Sequence, residues 1–142
     1  MISKDPKRTL PHREPFLFVH RFMQRNETGT EGVVEYDVHP DLDVFRGHFP
    51  GNPIFPGVLQ MEAAAQACGW VYLGVLPEGT PNPDVLFVAV DSYKFRKPVV
   101  PPGTLVMKVR QDQVRGPLQL WDIRIEMNSQ KVSEGRFWLR ML

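Results

Sequence analysis

His48 and Glu62 are the two side chains in this sequence whose type and setting suffice for acid–base chemistry. They bracket the run Gly47-His48-Phe49-Pro50-Gly51-Asn52-Pro53-Ile54-Phe55-Pro56-Gly57-Val58-Leu59-Gln60-Met61-Glu62, with four glycines or prolines between Pro50 and Pro56. Proline fixes φ and glycine takes angles closed to other residues, so such a loop has few conformations. A histidine can take up a proton near neutral pH. A carboxyl group on an apolar helix is costly to bury unless it is paired, neutral or facing a cavity. One group of this pair can remove a carbon-bound proton while the other, kept protonated by burial, donates to a leaving hydroxyl. Ordinary readings stand beside this one: a hydrogen-bonded loop histidine at 48, and an Arg or Lys partner from a sheet for Glu62. Gln66, one turn beyond Glu62, shares its helix face and can orient it by hydrogen bonding, although for Gln66 alone a structural role is the favoured reading. Free N–H groups near Gly57 and Val58, at the helix start, can hold a thioester oxygen that gains charge as the proton leaves. Glycine at 57 either lets a substrate carbonyl approach the backbone or simply opens the helix.

The elements that must position these groups follow from periodicity and punctuation. From Gly57 to about Leu76 no proline intrudes and alanine is frequent, which predicts the one long helix. Its residues are apolar nearly all round, so the helix is buried, and small residues at Ala63, Ala64, Ala65, Ala67 and Gly69 would let other backbone approach closely. Before it, Phe16–Arg25 and Thr30–Val38 read as a hairpin across Asn26-Glu27-Thr28-Gly29, and His39–Phe49 is irregular with at most a short helical turn. After it, Val85–Lys97, Thr104–Gln113, Leu118–Met127 and Lys131–Leu142 alternate as strands. The order β-β-α-β-β-β-β predicts an α+β domain, an antiparallel sheet wrapped around one buried helix.

Composition narrows the function classes. The 142 residues suit a single domain spanning 1–142, with 42% hydrophobic and 23% charged residues. A net charge of +1 gives no reason to invoke nucleic acid. No window approaches the ~20 apolar residues of a membrane span, and Met1–Leu10, with Lys4, Asp5, Lys7 and Arg8, is no secretory signal. Cys68 is alone and suits a reducing compartment, so a cytoplasmic protein is expected. His12, His20, His39 and His48 lack metal-ligand spacing, and no phosphate-binding glycine loop is present, so neither metal nor cofactor is expected. The 14 prolines, about twice the usual share, fall at the breaks between elements.

The string Gly47-His48-Phe49-Pro50-Gly51…Pro53…Pro56-Gly57-Val58-Leu59…Glu62-Ala63…Ala65-Gln66 resembles the hot-dog-fold β-hydroxyacyl-(acyl carrier protein) dehydratases of the FabZ type. Leu10-Pro11-His12-Arg13-Glu14-Pro15-Phe16-Leu17 is similar to the opening motif of that family. Phe87-Val88-Ala89-Val90-Asp91 and Lys94-Phe95-Arg96-Lys97-Pro98 are similar to its post-helix strand. The resemblance implies a hot-dog fold and dehydration of β-hydroxyacyl thioesters to trans-2-enoyl thioesters without a cofactor. It implies that His48 removes the α-proton, that Glu62 assists departure of the hydroxyl as water, and that the Gly57 amide binds the thioester carbonyl. It further implies a homodimer whose active sites take His48 and Glu62 from different subunits, with trimers of dimers in some members. Glutamate at the acid position favours dehydration without isomerisation, since the related FabA type carries aspartate there.

Four features depart from the family pattern: His20 where aspartate is usual, Ala89 in place of a glycine, Pro102-Gly103 in place of a Gly-Asp turn, and a short segment before Leu10. The methyl group of Ala89 would narrow an acyl tunnel running beside it. Phe55, Val58, Met61, Phe87 and Tyr93 are candidates for that tunnel. Arg13, Lys94, Arg96, Lys97, Lys108 and Arg110 are candidates for docking an acidic carrier protein, though each suits a solvated strand face equally well. Two rivals share the fold: a thioesterase using a carboxylate and water, and a non-catalytic acyl-binding subunit. The presence of both His48 and Glu62 argues against the latter.

Overall fold

An apolar helix without a polar face needs cover on most sides, and a single sheet supplies it here. The computed structural model describes residues 4–77, 80–81 and 83–141. Helix α1, Gly57–Leu73, lies against a six-stranded antiparallel sheet built from β1 (Arg21–Arg25), β2 (Glu31–Val38), β3 (Val85–Phe95), β4 (Gly103–Arg115), β5 (Leu118–Met127) and β6 (Gln130–Met141). The spatial order is β1-β2-β4-β5-β6-β3, so β1 and β3 form the two edges. The chain is an α+β hot-dog fold, in the element order expected.

Alternation decides which face of each strand meets the helix. In β4 and β5, Leu105, Met107, Val109, Ile123 and Ile125 are buried, and on β6 Phe137 and Leu139 are as well. The opposite face is charged, and its basic residues sit across from acids: Lys108 on Glu126, Arg110 on Asp122, Arg96 on Glu134. From Ala63 to Val71 every helix residue is buried. At Gly69 the close neighbours are side chains and not the backbone foreseen: a Cβ there would come within 2.9 Å of both Leu10 and Val85.

The boundaries differ where backbone groups find other partners. The predicted strand Phe16–Arg25 is regular only from Arg21. Ahead of it, the Phe18 N–H donates to the Gln66 side-chain oxygen at 2.7 Å and the Phe16 carbonyl accepts from the Gln66 amide at 3.0 Å. A buried side chain thus does for this segment what a neighbouring strand would do. The helix ends at Leu73, three residues before the expected Leu76, with Gly74 as its cap and the Gly74 N–H on Trp70 O. The irregular stretch before His48 holds one 3-10 turn, Asp43–Arg46. Predicted Leu142 at the end of the last strand lies outside the described residues. No helix among the described residues is long and apolar enough to cross a membrane.

Candidate active site

The loop before α1 is pinned by its own hydrogen bonds. Phe49 and Asn52 exchange backbone bonds of 3.0 and 2.8 Å, Gly51 turns between them at φ +72°, and Ile54 N–H returns to the His48 carbonyl at 3.1 Å. Phe55 N–H then ties the strand-like exit to Val99 O at 2.8 Å. The His48 ring stacks on Phe49 and places Nδ1 2.8 Å from the Ile54 carbonyl oxygen. A carbonyl only accepts, so Nδ1 carries the proton and Nε2 holds the basic lone pair. The contact thereby fixes the tautomer and orientation of the neutral His48 ring.

Glu62 sits in the second turn of α1 with a side chain 18% exposed. Its Oε2 accepts from the Gln66 amide at 3.0 Å, the contact expected from their spacing. Gln66 is fully buried and its two N–H and one oxygen are all engaged, so its orientation is fixed. Glu62 lines an apolar groove of about 560 Å³ together with Phe16, Val58, Leu59, Met61, Phe87, Val88, Ala89 and Val90. At the start of α1, Leu59 and Gln60 N–H groups both bond Pro56 O, whereas those of Gly57 and Val58 have no acceptor among the described residues. These two amides can receive an oxygen that gains negative charge.

The structure gathers Glu62, Val58, Met61 and Phe87 on one groove with Gln66 behind, and it leaves the other predicted residues elsewhere. His48 is not on the wall of this groove. Phe55 is fully buried, its ring packed among Phe18, Tyr36 and Phe45, which is the setting of a core residue and not of a tunnel wall. Tyr93 is also off the groove: its hydroxyl meets Ser133 Oγ at 3.1 Å, and burial pushes its pKa up to about 12. Gly57 has a packing reason for being glycine, since a Cβ there would come 2.7 Å from the Phe95 ring. Ala89 does lie on the groove, where its methyl group takes up room.

Among the basic candidates, Arg13 spends its guanidinium on the carbonyls of Lys7, Leu10 and His12. Arg96 pairs with Glu134 at 2.9 Å and Lys97 reaches the Gln130 side chain at 2.5 Å, while Lys94 makes no ion pair among the described residues. His20 makes a polar contact in its own right: Nδ1 accepts the Asp37 N–H at 2.9 Å, and the ring stacks on Tyr36. Sequence reasoning missed His12 as a neighbour of Glu62, with Nε2 3.5 Å from Oε2. Its place in the opening motif was visible, but the pairing of that motif with the helix was not.

Comparison with known proteins identifies the family. A FabA-like domain model matches residues 10–136. The chain is 39% identical over 130 residues to a 3-hydroxyacyl-[acyl-carrier-protein] dehydratase FabZ of Brucella melitensis, covering 89% of this chain and 79% of the relative. Among solved structures, the dehydratase heterocomplex ApeI:P from Xenorhabdus doucetiae superposes with a TM-score of 0.61 at 27% identity, covering 84% of this chain and 96% of that one. An uncharacterised Pyrococcus horikoshii protein, PH1136, shares the fold with a TM-score of 0.68 at 16% identity, covering 100% and 95% of the two chains. With the helix, the wrapped sheet, the His48 loop and Glu62 all in the matched span, the chain belongs to the FabA-like family.

Proposed function

We propose that this protein is a hydro-lyase that converts β-hydroxyacyl thioesters on acyl carrier protein into trans-2-enoyl thioesters, in fatty acid or related acyl-chain synthesis. The observation that carries the reading is a part-buried carboxyl group, anchored through one oxygen, on the wall of an apolar groove wide enough for an acyl chain. In the reaction His48 Nε2 takes the C2 proton while the thioester oxygen is held by the Gly57 and Val58 amides. The C2 electron pair forms the C2=C3 bond, the C3–O bond breaks, and the proton of Glu62 leaves with the hydroxyl as water. Protonated His48 and ionised Glu62 then exchange a proton through solvent to reset the site. His48, Glu62 and the two amides are the catalytic groups in this reading, with Val58, Met61 and Phe87 as groove wall.

The partner that completes the site is a second copy of the chain. Edge strand β3 exposes Leu86, Phe87, Val88 and Val90, and four of the groove residues, Phe87 to Val90, lie on it. Long apolar edges are normally covered, and a symmetry mate adding its own β3 would extend the sheet and close the groove. His48 would then enter from the partner subunit. Docking of the acidic carrier falls first to Lys94, because Arg13, Arg96 and Lys97 are already engaged within the chain. A cytoplasmic setting accords with the carrier-bound substrate and the buried thiol of Cys68.

Incubation with a crotonyl thioester and water tests the reading through the reverse reaction. Hydration to the 3-hydroxyacyl thioester is expected, and His48→Ala and Glu62→Gln each reduce it by a factor of about 100 or more with assembly intact. Release of free acid without hydration would make the protein a thioesterase. No turnover would make it an acyl-binding subunit, and a near-normal rate in either variant would remove that residue from the mechanism.

A further inference from the structure

Glu62 is contacted by two donors, and both reach the same oxygen. Gln66 Nε2 lies 3.0 Å from Oε2 and His12 Nε2 lies 3.5 Å from it, while Oε1 accepts no hydrogen bond among the described residues. The Gln66 contact is fixed in polarity. Its oxygen is committed to the Phe18 N–H and its other N–H to the Phe16 carbonyl, so the group facing Glu62 must be a donor. The His12 contact is fixed by burial. Its Nδ1 is buried without a hydrogen-bond partner, and a proton placed there would be an unsatisfied donor. The proton of the neutral ring therefore sits on Nε2, toward Glu62, and in the charged ring Nε2 is protonated as well. At 3.5 Å the contact is longer than an ordinary hydrogen bond and acts as electrostatic steering of the carboxyl group.

We propose that His12 is a positioning residue for Glu62: with Gln66 it loads Oε2 with donors, so that the proton given to the leaving hydroxyl is carried on Oε1. An oxygen already facing two N–H groups is a poor place for a third hydrogen, which leaves Oε1 to carry it. The His12–Gln66 pair thus decides which oxygen of the acid is chemically active. The opening segment Leu10–Phe18 becomes part of the acid's support, since it supplies His12 and the two backbone groups that orient Gln66. The proposal rests on the dehydratase reading given above.

The test compares two thioesters of equal chain length, one with a 3-hydroxyl group and one with a 3-chloro group. Hydroxide must be protonated to leave, whereas chloride departs with its own electron pair once His48 has taken the C2 proton. Loss of acid positioning therefore slows the first substrate selectively. In His12→Phe and His12→Ala the ratio of hydroxy to chloro kcat is expected to fall about tenfold, with KM for the hydroxyacyl thioester little changed. His12→Gln, which keeps an N–H donor, should recover part of the ratio. Equal slowing of both substrates, or an unchanged ratio in all three variants, overturns the role of His12 while leaving dehydration in place. Absence of turnover of the hydroxyacyl thioester by the unaltered protein overturns the dehydratase reading and this proposal together.

Discussion

Single side chains in this protein hold their protons in place through different physical causes. His48 is set by geometry, because a carbonyl oxygen at 2.8 Å from Nδ1 leaves no choice of tautomer. Tyr93 is set by desolvation, which pushes its hydroxyl up to about 12 despite the bond to Ser133, and Tyr36 in the core is pushed the same way. The sign of the resulting stability change follows from linkage. A tyrosine in the unfolded chain ionises near pH ~10, while buried Tyr93 keeps its proton until about 12. Its contribution is full below the unfolded value and is lost as pH rises from one to the other. The urea midpoint should therefore decline between about pH 10 and about pH 12, and Tyr93→Phe should make the decline shallower. An unchanged slope in the variant would mean that Tyr93 ionises as freely folded as unfolded.

At the level of elements, the two sheet edges are built on opposite principles. Strand β1 is five residues long, interrupted by a bulge between Phe22 and Gln24, and has arginine at each end. Arg21 donates to both carboxylate oxygens of Asp37 at 2.6 Å, and Thr104 of β4 donates to one of them at 2.8 Å, so three strands meet at one carboxylate. Those hydrogen bonds, the arginine's first, hold the Asp37 carboxyl well below the usual range. A depressed folded-state value gives stability that is present above the unfolded value near ~3.9 and lost as pH falls below it. Asp37→Asn should lower the urea midpoint at neutral pH and weaken its dependence as pH falls below about 4. A parallel shift at every pH would show that the charge of Asp37 does not stabilise the fold. The central elements were readable because helix and strand periods are local: α1 begins at Gly57 as expected, and β5 matches residue for residue. What local pattern does not carry is a pairing across the fold. The Phe16 segment looked like strand, yet its backbone is satisfied by the Gln66 amide, and His12 meets Glu62 only because that segment crosses the helix. Phe55 illustrates the converse, since an apolar residue beside the site is indistinguishable in sequence from core, and it is core.

At the level of the whole molecule, β3 is the element that a single chain leaves unfinished. Its eleven residues are mostly exposed on both faces, although Val85, Leu86, Phe87, Val88, Ala89, Val90 and Phe95 are apolar. Strands with that composition are stable at a sheet edge in water only when something covers them. The groove that holds Glu62 runs along the same strand, so a partner that covered the edge would also close the groove. Val88 is 49% and Val90 48% exposed, and neither belongs to the His48 or Glu62 hydrogen-bond networks. Lysine at both positions should leave the helix–sheet core folded but place like charges where two edges would meet, a penalty that falls on association only if the edges pair. The expected outcome by sedimentation is a monomer with an unchanged far-ultraviolet spectrum and no hydration of the crotonyl thioester. A second measurement separates loss of shape from loss of a shared site. His48→Ala and Glu62→Gln, each inactive as a homodimer, should regain activity when mixed and allowed to exchange subunits, because one of the two sites then draws an intact His48 from one chain and an intact Glu62 from the other. Mixed dimers that stay inactive would place both groups of each site in the same chain, and an active double-lysine monomer would do the same.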